Sequence, residues 1–191
     1  MQLRAGWVFG FTLIELMVTV SVLAIVLVAA VPSFVDFFDK NRVRGAADGV
    51  ISLISNARAE AVKNNLDVNI AMAGSGAAWC MGANAAAQPS GGNPASTATA
   101  CDCTDTAACL VSGQRAAIDV GAYPDVRVGS LPAEFIFNRT LGTIVPLDIR
   151  SLTLTSPRGK YDLAVRVNAL GQAFLCVPTG KPAIAGIASC N

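Results

Sequence analysis

The chain has 191 residues, of which 53% are hydrophobic and 14% charged, too apolar for a disordered chain and too short for a transporter with many spans. Lys and Arg number 14 against 13 Asp and Glu, so the net charge gives no general attraction to nucleic acid. Histidine is absent, which removes the commonest general base and the commonest metal ligand.

The N-terminal region is a short polar segment followed by a long apolar run. Residues 1–10, MQLRAGWVFG, carry one charge, at Arg4, and residues 11–31 carry one charge, at Glu15. A helix of about 20 apolar residues crosses a hydrocarbon core of roughly 30 Å. The run therefore predicts a membrane-spanning helix.

Three simpler interpretations compete for this run. A cleaved secretory signal has an apolar core of about 7–15 residues, which is shorter than the run here. An ordinary single-span anchor fits the length but gives Glu15 no role. The third interpretation is that Glu15 merely lies at the membrane border. Burying a charged side chain costs about 2.5–3.5 kcal/mol at a helix centre, and this cost falls towards the helix ends.

The order of residues in this run carries a family resemblance. Gly10 precedes Phe-Thr-Leu-Ile-Glu at 11–15, and the apolar run ends at Pro32. This pattern resembles the class III signal of type IV prepilins and type II secretion pseudopilins. The resemblance implies cleavage after Gly10 by an inner-membrane prepilin peptidase, N-methylation at Phe11, and a role for Glu15 in guiding assembly. It also implies a single-pass protein of the bacterial inner membrane, with a periplasmic head, that later enters a filament.

The physics of the implied charge pair agrees with a role in assembly. Cleavage exposes an ammonium group on Phe11 in apolar surroundings. In a growing filament, Glu15 of one subunit can meet the Phe11 amine of its neighbour. Two charges that are costly alone offset each other only when subunits stack in register, so the pair selects a register more than it adds stability.

Residues 11–64 are predicted to form one helix of about 80 Å. Residues 11–32 form the membrane or filament-core part, with a kink expected at Pro32 because proline removes one backbone hydrogen bond. Residues 33–64 are amphipathic, with apolar residues recurring at spacings of three and four. These are Val43, Ala47, Val50, Ile54, Ala57 and Ala61.

Residues 65–191 are predicted to form a β-rich periplasmic head. A first strand at 66–73 is followed by residues 74–109, rich in small and polar residues and predicted to be one long loop stapled by cysteines. Further strands are predicted at 116–120, 125–128, 134–138, 143–147, 151–155, 160–168 and 172–178. In residues 161–167, YDLAVRV, the large residues alternate and should face one side. A long helix followed by antiparallel strands predicts an α+β, type IV pilin-like fold.

The head also carries a resemblance, to the FimT/GspH group of minor pilins and pseudopilins. The segments ISNARAEAVKNN (54–65), FIFNRTLGT (135–143) and LGQAFLCVP (170–178) are similar to that group. In members linked to DNA uptake, a Gly-Arg-x-Arg motif supplies arginines that bind phosphate, but here those places hold Gln172 and Phe174. The remaining candidates for DNA contact are Arg158, Lys160 and Lys181, with Arg166 beside them. Because Arg-Gly-Lys on a turn is typical of a solvated hairpin tip, DNA binding is disfavoured.

Six cysteines lie beyond the apolar run, at 80, 101, 103, 109, 176 and 190. A zinc site is one interpretation of the Cys-x-Cys pattern, but an exported head without histidine favours disulfides. Cys101 and Cys103 are too close for an easy mutual bridge. Cys80 is therefore expected to pair with one of them and Cys109 with the other, while Cys176 and Cys190 close a C-terminal loop.

No residue pattern indicates an enzyme, a metal site or a cofactor. The Asn-x-Thr sequence at 138–140 is interpreted as turn chemistry rather than a glycan site. The leading hypothesis is a minor type IV pilin that takes part in pilus priming, with a type II secretion pseudopilin as the alternative and a DNA receptor as a further one. The expected partners are the prepilin peptidase, other minor pilins or pseudopilins, the filament and membrane lipid.

Overall fold

The structure is a computed structural model that describes residues 10–86, 98–129 and 132–190, with backbone only for residues 29–32. The chain divides into two compact units, one ending at Phe38 and the other beginning at Asp39. Apart from Gly10, the predicted leader at 1–10 lies outside the described residues. Each unit is described separately below.

Helix α1 runs from Leu13 to Asn64, close to the predicted 11–64. The six residues of the predicted apolar stripe in its second half are all 0–2% exposed. The helix ends where Asn65 adopts a left-handed conformation, with φ of 52°. The Asn65 amide then donates to the Val62 carbonyl at 3.4 Å, and the Leu66 amide donates to the Ala61 carbonyl at 3.1 Å. These two bonds form a Schellman motif, which satisfies carbonyls that the helix end leaves free.

Two antiparallel sheets and a short hairpin make up the strands of the second unit. The first sheet has the order β5-β2-β1-β7-β8, with β1 at Val68–Ser75, β2 at Ala78–Ala85, β5 at Ala117–Asp119, β7 at Phe135–Phe137 and β8 at Ile144–Val145. The second has the order β11-β10-β9-β6, with β6 at Arg127–Val128, β9 at Arg150–Thr155, β10 at Asp162–Val167 and β11 at Ala173–Cys176. The hairpin pairs β3 at Leu110–Val111 with β4 at Gln114–Arg115. The predicted α+β, pilin-like class is confirmed.

The prediction of one long loop over 74–109 is wrong at its start. Strand β2 occupies part of that range and pairs with β1 along all eight residues. Gly74, with φ of 86°, lies where an added Cβ would be 1.9 Å from the Ala78 carbonyl oxygen, so the chain can turn tightly there. Strand β2 is buried on both faces, with Trp79 and Met81 on one and Cys80 on the other. Strand prediction depends on apolar and polar residues alternating along the chain. Strand β2 is buried on both faces and contains several small residues, so this alternation is absent. Residues 87–97 of the predicted loop lie outside the described residues.

Strand β10 also departs from the predicted alternation. Its predicted inner residues are buried, but Asp162 and Ala164 on the opposite face are buried as well. The Asp162 carboxylate forms an ion pair with Lys181, in which Oδ2 and Nζ are 2.9 Å apart. Both faces of β10 are therefore covered, one by the core and the other by the C-terminal segment.

The core of the second unit joins the helix stripe to both sheets. Val50 and Ile54 of α1 belong to the same buried cluster as Phe137 of the first sheet and Leu163 of the second. The Trp79 indole donates to the Val126 carbonyl at 2.9 Å, so this large side chain is buried without an orphaned polar group.

Shortening the helix stripe should destabilise the head. We expect Ile54→Ala to lower the free energy of unfolding by about 2–5 kcal/mol, because it leaves a cavity between helix and sheets. Val62→Ala, on the exposed face of the same helix, should change it by about 0.5 kcal/mol or less. The check is urea unfolding of the full chain in detergent, followed by Trp79 fluorescence in a Trp7→Phe background. Equal effects of the two substitutions would contradict the prediction.

Candidate assembly site

The start of α1 is capped by the side chain of Thr12. The Glu15 amide donates to the Thr12 side-chain oxygen at 3.3 Å, and the Leu16 amide donates to the Thr12 carbonyl at 3.2 Å. Thr12 is thus the N-cap and Glu15 the third helical residue, the position at which an acidic residue complements the helix dipole. The cap fixes the backbone on which Glu15 sits, one turn from Phe11.

The surface behind this cap is apolar and exposed. Thr19 and Ser21 interrupt the run in sequence, but their hydroxyls donate to the Leu16 carbonyl at 2.9 Å and the Met17 carbonyl at 2.7 Å. Glu15 is therefore the single charge on this surface, and the large apolar side chains are 54–80% exposed. They are Phe11, Leu13, Ile14, Leu16, Met17, Val18, Val20, Val22, Leu23, Ile25, Val26, Leu27 and Val28.

Among the described residues, no single helix passes a length and composition test for a membrane span, but the stretches Leu13–Val28 and Ser33–Asn64 pass it together as a bent pair. The span predicted at 11–32 stays a prediction. So does the kink at Pro32, whose side chain lies outside the described residues.

The Gly10–Phe11 bond precedes the first helical residue, Leu13. Among the described residues, which begin at Gly10, no atom lies within 4 Å of a Cβ built on Gly10, and Phe11 is exposed.

The structure joins the six cysteines in three disulfides: Cys80 with Cys103, Cys101 with Cys109, and Cys176 with Cys190. The first two resolve the alternative that the sequence left open, and the three bridges leave no thiol free. Within the described ranges, no group of carboxylates and cysteines is arranged to hold a metal ion.

Gly82 of β2 lies beneath the Cys101–Cys109 disulfide. A Cβ at this position would be 2.3 Å from Cys109 Sγ and 2.9 Å from Cys101 Sγ. This bridge therefore lies directly on the β2 backbone, and it covers a sheet face that has few large side chains to bury.

Family models match most of the chain. A model for the prokaryotic N-terminal methylation motif matches residues 9–31, and a model for the type II transport protein GspH matches residues 46–171, more than half of the chain. The chain belongs to the GspH/FimT-like pilin family. No curated protein and no solved structure matches it. As a member of this family it is a minor pilin or pseudopilin, a protein class built for filaments.

The candidate DNA-contact residues of this GspH/FimT-like pilin do not act as one free cationic surface. Lys181 is paired with Asp162, and Lys160 Nζ lies 5.3 Å from the centre of the Tyr161 ring. Arg158 and Lys160 flank Gly159 at the turn between β9 and β10, the hairpin tip that was predicted. Lys181 and Lys160 therefore make contacts within the head, whereas Arg158 is exposed at the hairpin tip.

Gln172 has a structural role in place of a phosphate-binding arginine. Its amide donates to Asn168 Oδ1 at 2.9 Å, and its side-chain oxygen accepts from Asn168 Nδ2 at 2.9 Å. These two bonds close the turn between β10 and β11. The departure from Gly-Arg-x-Arg thus stabilises the fold of a turn.

Glu60 of α1 makes a contact within the head that the sequence analysis missed. Its carboxylate accepts from the Ser112 hydroxyl at the tip of the β3–β4 hairpin, from Asn64 Nδ2 at 2.7 Å and from Lys63 Nζ at 3.1 Å. The Ser112 hydrogen bond, followed by those from Lys63 and Asn64, lowers the pKa of Glu60 below its usual 4.5. The hairpin is thereby fastened to the end of the helix beside a cavity of about 520 Å³.

Adding one methyl group at Gly82 should strain the Cys101–Cys109 disulfide that lies over it. We expect Gly82→Ala to lower the free energy of unfolding by about 1–3 kcal/mol, the usual cost of overpacking. Gly129→Ala is the matched control, because a Cβ there meets its nearest atom at an ordinary 3.8 Å. Urea midpoints of the two oxidised proteins provide the test, and a shift confined to Gly129→Ala would contradict the close approach.

The Glu60 contact should depend on pH in a defined direction. Because the folded pKa is lowered, the stabilisation is present above about pH 4.5 and is lost as the pH falls through the folded pKa. We expect Ser112→Ala to raise the pKa of Glu60 towards its usual value. Ser52→Ala, on the same helix, should leave it unchanged, since Ser52 contacts Asn56 instead. Carboxyl-carbon NMR titration measures both, and an unmoved pKa in Ser112→Ala would refute the arrangement.

Proposed function

We propose that this chain is a minor type IV pilin that takes part in priming pilus assembly at the bacterial inner membrane. The observation that carries the proposal is the apolar, exposed surface of the first half of α1, with one carboxylate at its capped end. A surface of this kind needs lipid before assembly and neighbouring helices afterwards. The family match at residues 9–31 supports the same interpretation.

The proposed pathway begins in the membrane. Residues 11–32 span the bilayer, with the head in the periplasm, and a prepilin peptidase cleaves after Gly10. The exposure of Phe11 and the open space that the described residues leave around Gly10 support recognition by such an enzyme. The new Phe11 amine is N-methylated, and the helix then enters the filament core.

Glu15 has a specific part in the proposed mechanism. In lipid its carboxylate is costly, at about 2.5–3.5 kcal/mol near a helix centre and less near an end. In the filament, the amine of a neighbour's Phe11 offers a compensating charge. Because the Thr12 cap fixes the start of the helix, this pairing demands one axial position of the neighbouring chain.

A second candidate function is a minor pseudopilin of type II secretion. The description of the model that matches residues 46–171, a type II transport protein, favours it. Both candidates use the same N-terminal machinery. Deletion of the gene distinguishes them, because a pilin mutant loses surface pili and keeps secretion, whereas a pseudopilin mutant retains secretion substrates in the periplasm.

Two substitutions should separate processing from assembly. We expect Gly10→Val to block cleavage because a branched side chain replaces the residue before the cut. Glu15→Ala should be processed normally, yet its incorporation into filaments should fall by more than about tenfold, a change of about 1.4 kcal/mol or more.

Thr19→Val is the control for Glu15→Ala, since it alters a polar residue of the same segment whose hydroxyl bonds only its own helix. Processing is measured by N-terminal sequencing and incorporation by immunoblotting of sheared filaments. Normal incorporation of Glu15→Ala would refute the proposed role of the carboxylate.

A further inference from the structure

Strand β5 forms one edge of the first sheet. It pairs with β2 on one side, and among the described residues no strand pairs with it on the other. At the opposite edge, the Ile144 amide of β8 donates to the Ala169 carbonyl, and Pro146 follows the strand directly. Prolines and covering segments keep edge strands from pairing with other chains. Within the described ranges β5 has neither, so its three residues are open to a short added strand.

The backbone of β5 directs hydrogen-bonding groups away from β2. The amide of Val120, the residue after β5, donates to the Trp79 carbonyl of β2 at 3.2 Å. Because hydrogen-bonding direction alternates along a strand, the amides of Ala117 and Asp119 and the Ala117 carbonyl point to the outer side. The Asp119 carbonyl is used within the following turn, where it accepts from the Ala122 amide at 3.2 Å. The outward groups are those that a neighbouring strand would pair with.

A cavity of about 520 Å³ lies between β5, the β3–β4 hairpin and the part of α1 that belongs to the second unit. We call this cavity the β5 groove. Leu53, Ala57 and Val111 in its walls are 2–8% exposed, so the groove reaches into the core. Ile118 lines it from β5 and lies directly opposite Met81, on the core face of the sheet. The volume is within the range of about 300–1,000 Å³ that is usual for ligand pockets.

The edge and the groove together have the geometry of a peptide site. A strand added to the outer side of β5 would continue the sheet face that carries Ile118, and its side chains would alternate between the two faces. Every second side chain would enter the β5 groove, while the amides between them would face Ala117 and Asp119. Strand addition of this kind is a recurring mode of peptide recognition. Because the buried walls are apolar, the entering side chains that fit are aliphatic.

The β5 groove is held in place without a ligand. The Ser112 hydroxyl bonds to Glu60 and fastens the hairpin to α1 at one end. At the other end, a Cβ built on Gly49 would be 2.8 Å from Tyr123 Cζ, so the tyrosine ring lies against the helix backbone. A site that is ordered in advance loses little conformational entropy on binding, which favours affinity.

The charged groups of the groove favour a carboxylate at the hairpin end. Glu60, Lys63 and Arg115 line this end, two cations against one carboxylate, which gives a net charge of +1. Lys63 Nζ lies 3.1 Å from Glu60 Oε1, whereas Arg115 Nη2 donates to the Cys103 carbonyl at 3.2 Å. Asp119, at the other end of β5, carries the opposite charge. A strand antiparallel to β5 runs from Asp119 towards Arg115, so its C-terminal side would meet the positive end.

We propose that the β5 groove binds an extended peptide segment of another protein by strand addition. The peptide pairs antiparallel to β5, with aliphatic side chains in the groove and a carboxylate near Arg115 on its C-terminal side. An unfolded tail or loop can supply such a segment. The inference goes beyond the proposed function, because it assigns a binding activity to the head whichever kind of filament the chain enters.

The test measures binding of the labelled hexapeptide Thr-Val-Thr-Leu-Thr-Glu to the full chain in detergent, by fluorescence anisotropy. We expect a dissociation constant below about 1 mM. N-methylation of the threonines removes the amides that face β5 and should weaken binding by at least about tenfold. N-methylation of the other residues, whose amides point away, should leave binding unchanged. Absence of binding at about 1 mM, or equal binding of the two methylated peptides, would overturn the proposal.

Substitutions in the protein supply the second arm. Asn56→Trp fills the mouth of the groove from an exposed position and should weaken binding by at least about tenfold. Ser55→Trp, at the next exposed position and outside the groove, should leave it unchanged. Arg115→Glu should weaken binding of the hexapeptide and strengthen binding of a version that ends in lysine.

Urea midpoints of the variants show whether the head stays folded. Unchanged binding in Asn56→Trp, or no preference of Arg115→Glu for the lysine peptide, would overturn the proposal. Dimerisation of the chain that the hexapeptide reverses would show that a second copy occupies the edge, which would overturn it as well.

Discussion

The apolar surface of the first half of α1 is the constraint on which the rest of the molecule depends. Burying one large aliphatic side chain is worth about 1.5–3 kcal/mol, so leaving the whole run exposed to water is strongly unfavourable. Lipid satisfies the surface as well as neighbouring helices do, because hydrocarbon tails are as apolar as leucine. Apolar burial alone therefore gives no preference for a filament over a membrane.

In the proposed mechanism, Glu15 supplies a free-energy difference between lipid and filament that the apolar residues do not. A carboxylate is unfavourable in lipid, and the proposed pairing with a neighbour's amine would compensate it in the filament. A ligand or contact shifts an equilibrium only by such a difference. The Thr12 cap fixes the backbone of the helical turn that carries Glu15, and so limits the positions that its carboxylate can reach.

The sequence predicted those parts of the fold that depend on strong periodicity. The stripe from Val43 to Ala61 repeats with the period of a helix, and all six predicted residues are buried. Strand β2 and the β3–β4 hairpin were missed for opposite reasons. Strand β2 is covered on both faces, so alternation vanishes, whereas β3 and β4 have two residues each, too few to establish a period.

The candidate site was predictable only where a short motif fixes its chemistry. Gly10, Phe11 and Glu15 lie in the segment that the methylation-motif model matches, and their individual roles stay predictions. The expectation of disulfides needed only the number of cysteines and their place beyond the apolar run. The choice between Cys101 and Cys103 as partner of Cys80 depends on how residues 98–109 lie across β2, a tertiary fact. The Glu60 contact is of the same kind, since a glutamate on an exposed helix face carries no local sign of a partner 52 residues away.

Specificity for one filament over another must come from the head. Pilins and pseudopilins share the N-terminal arrangement, so the proposed charge pair would contribute equally to correct and incorrect neighbours. Discrimination requires contacts that differ between partners.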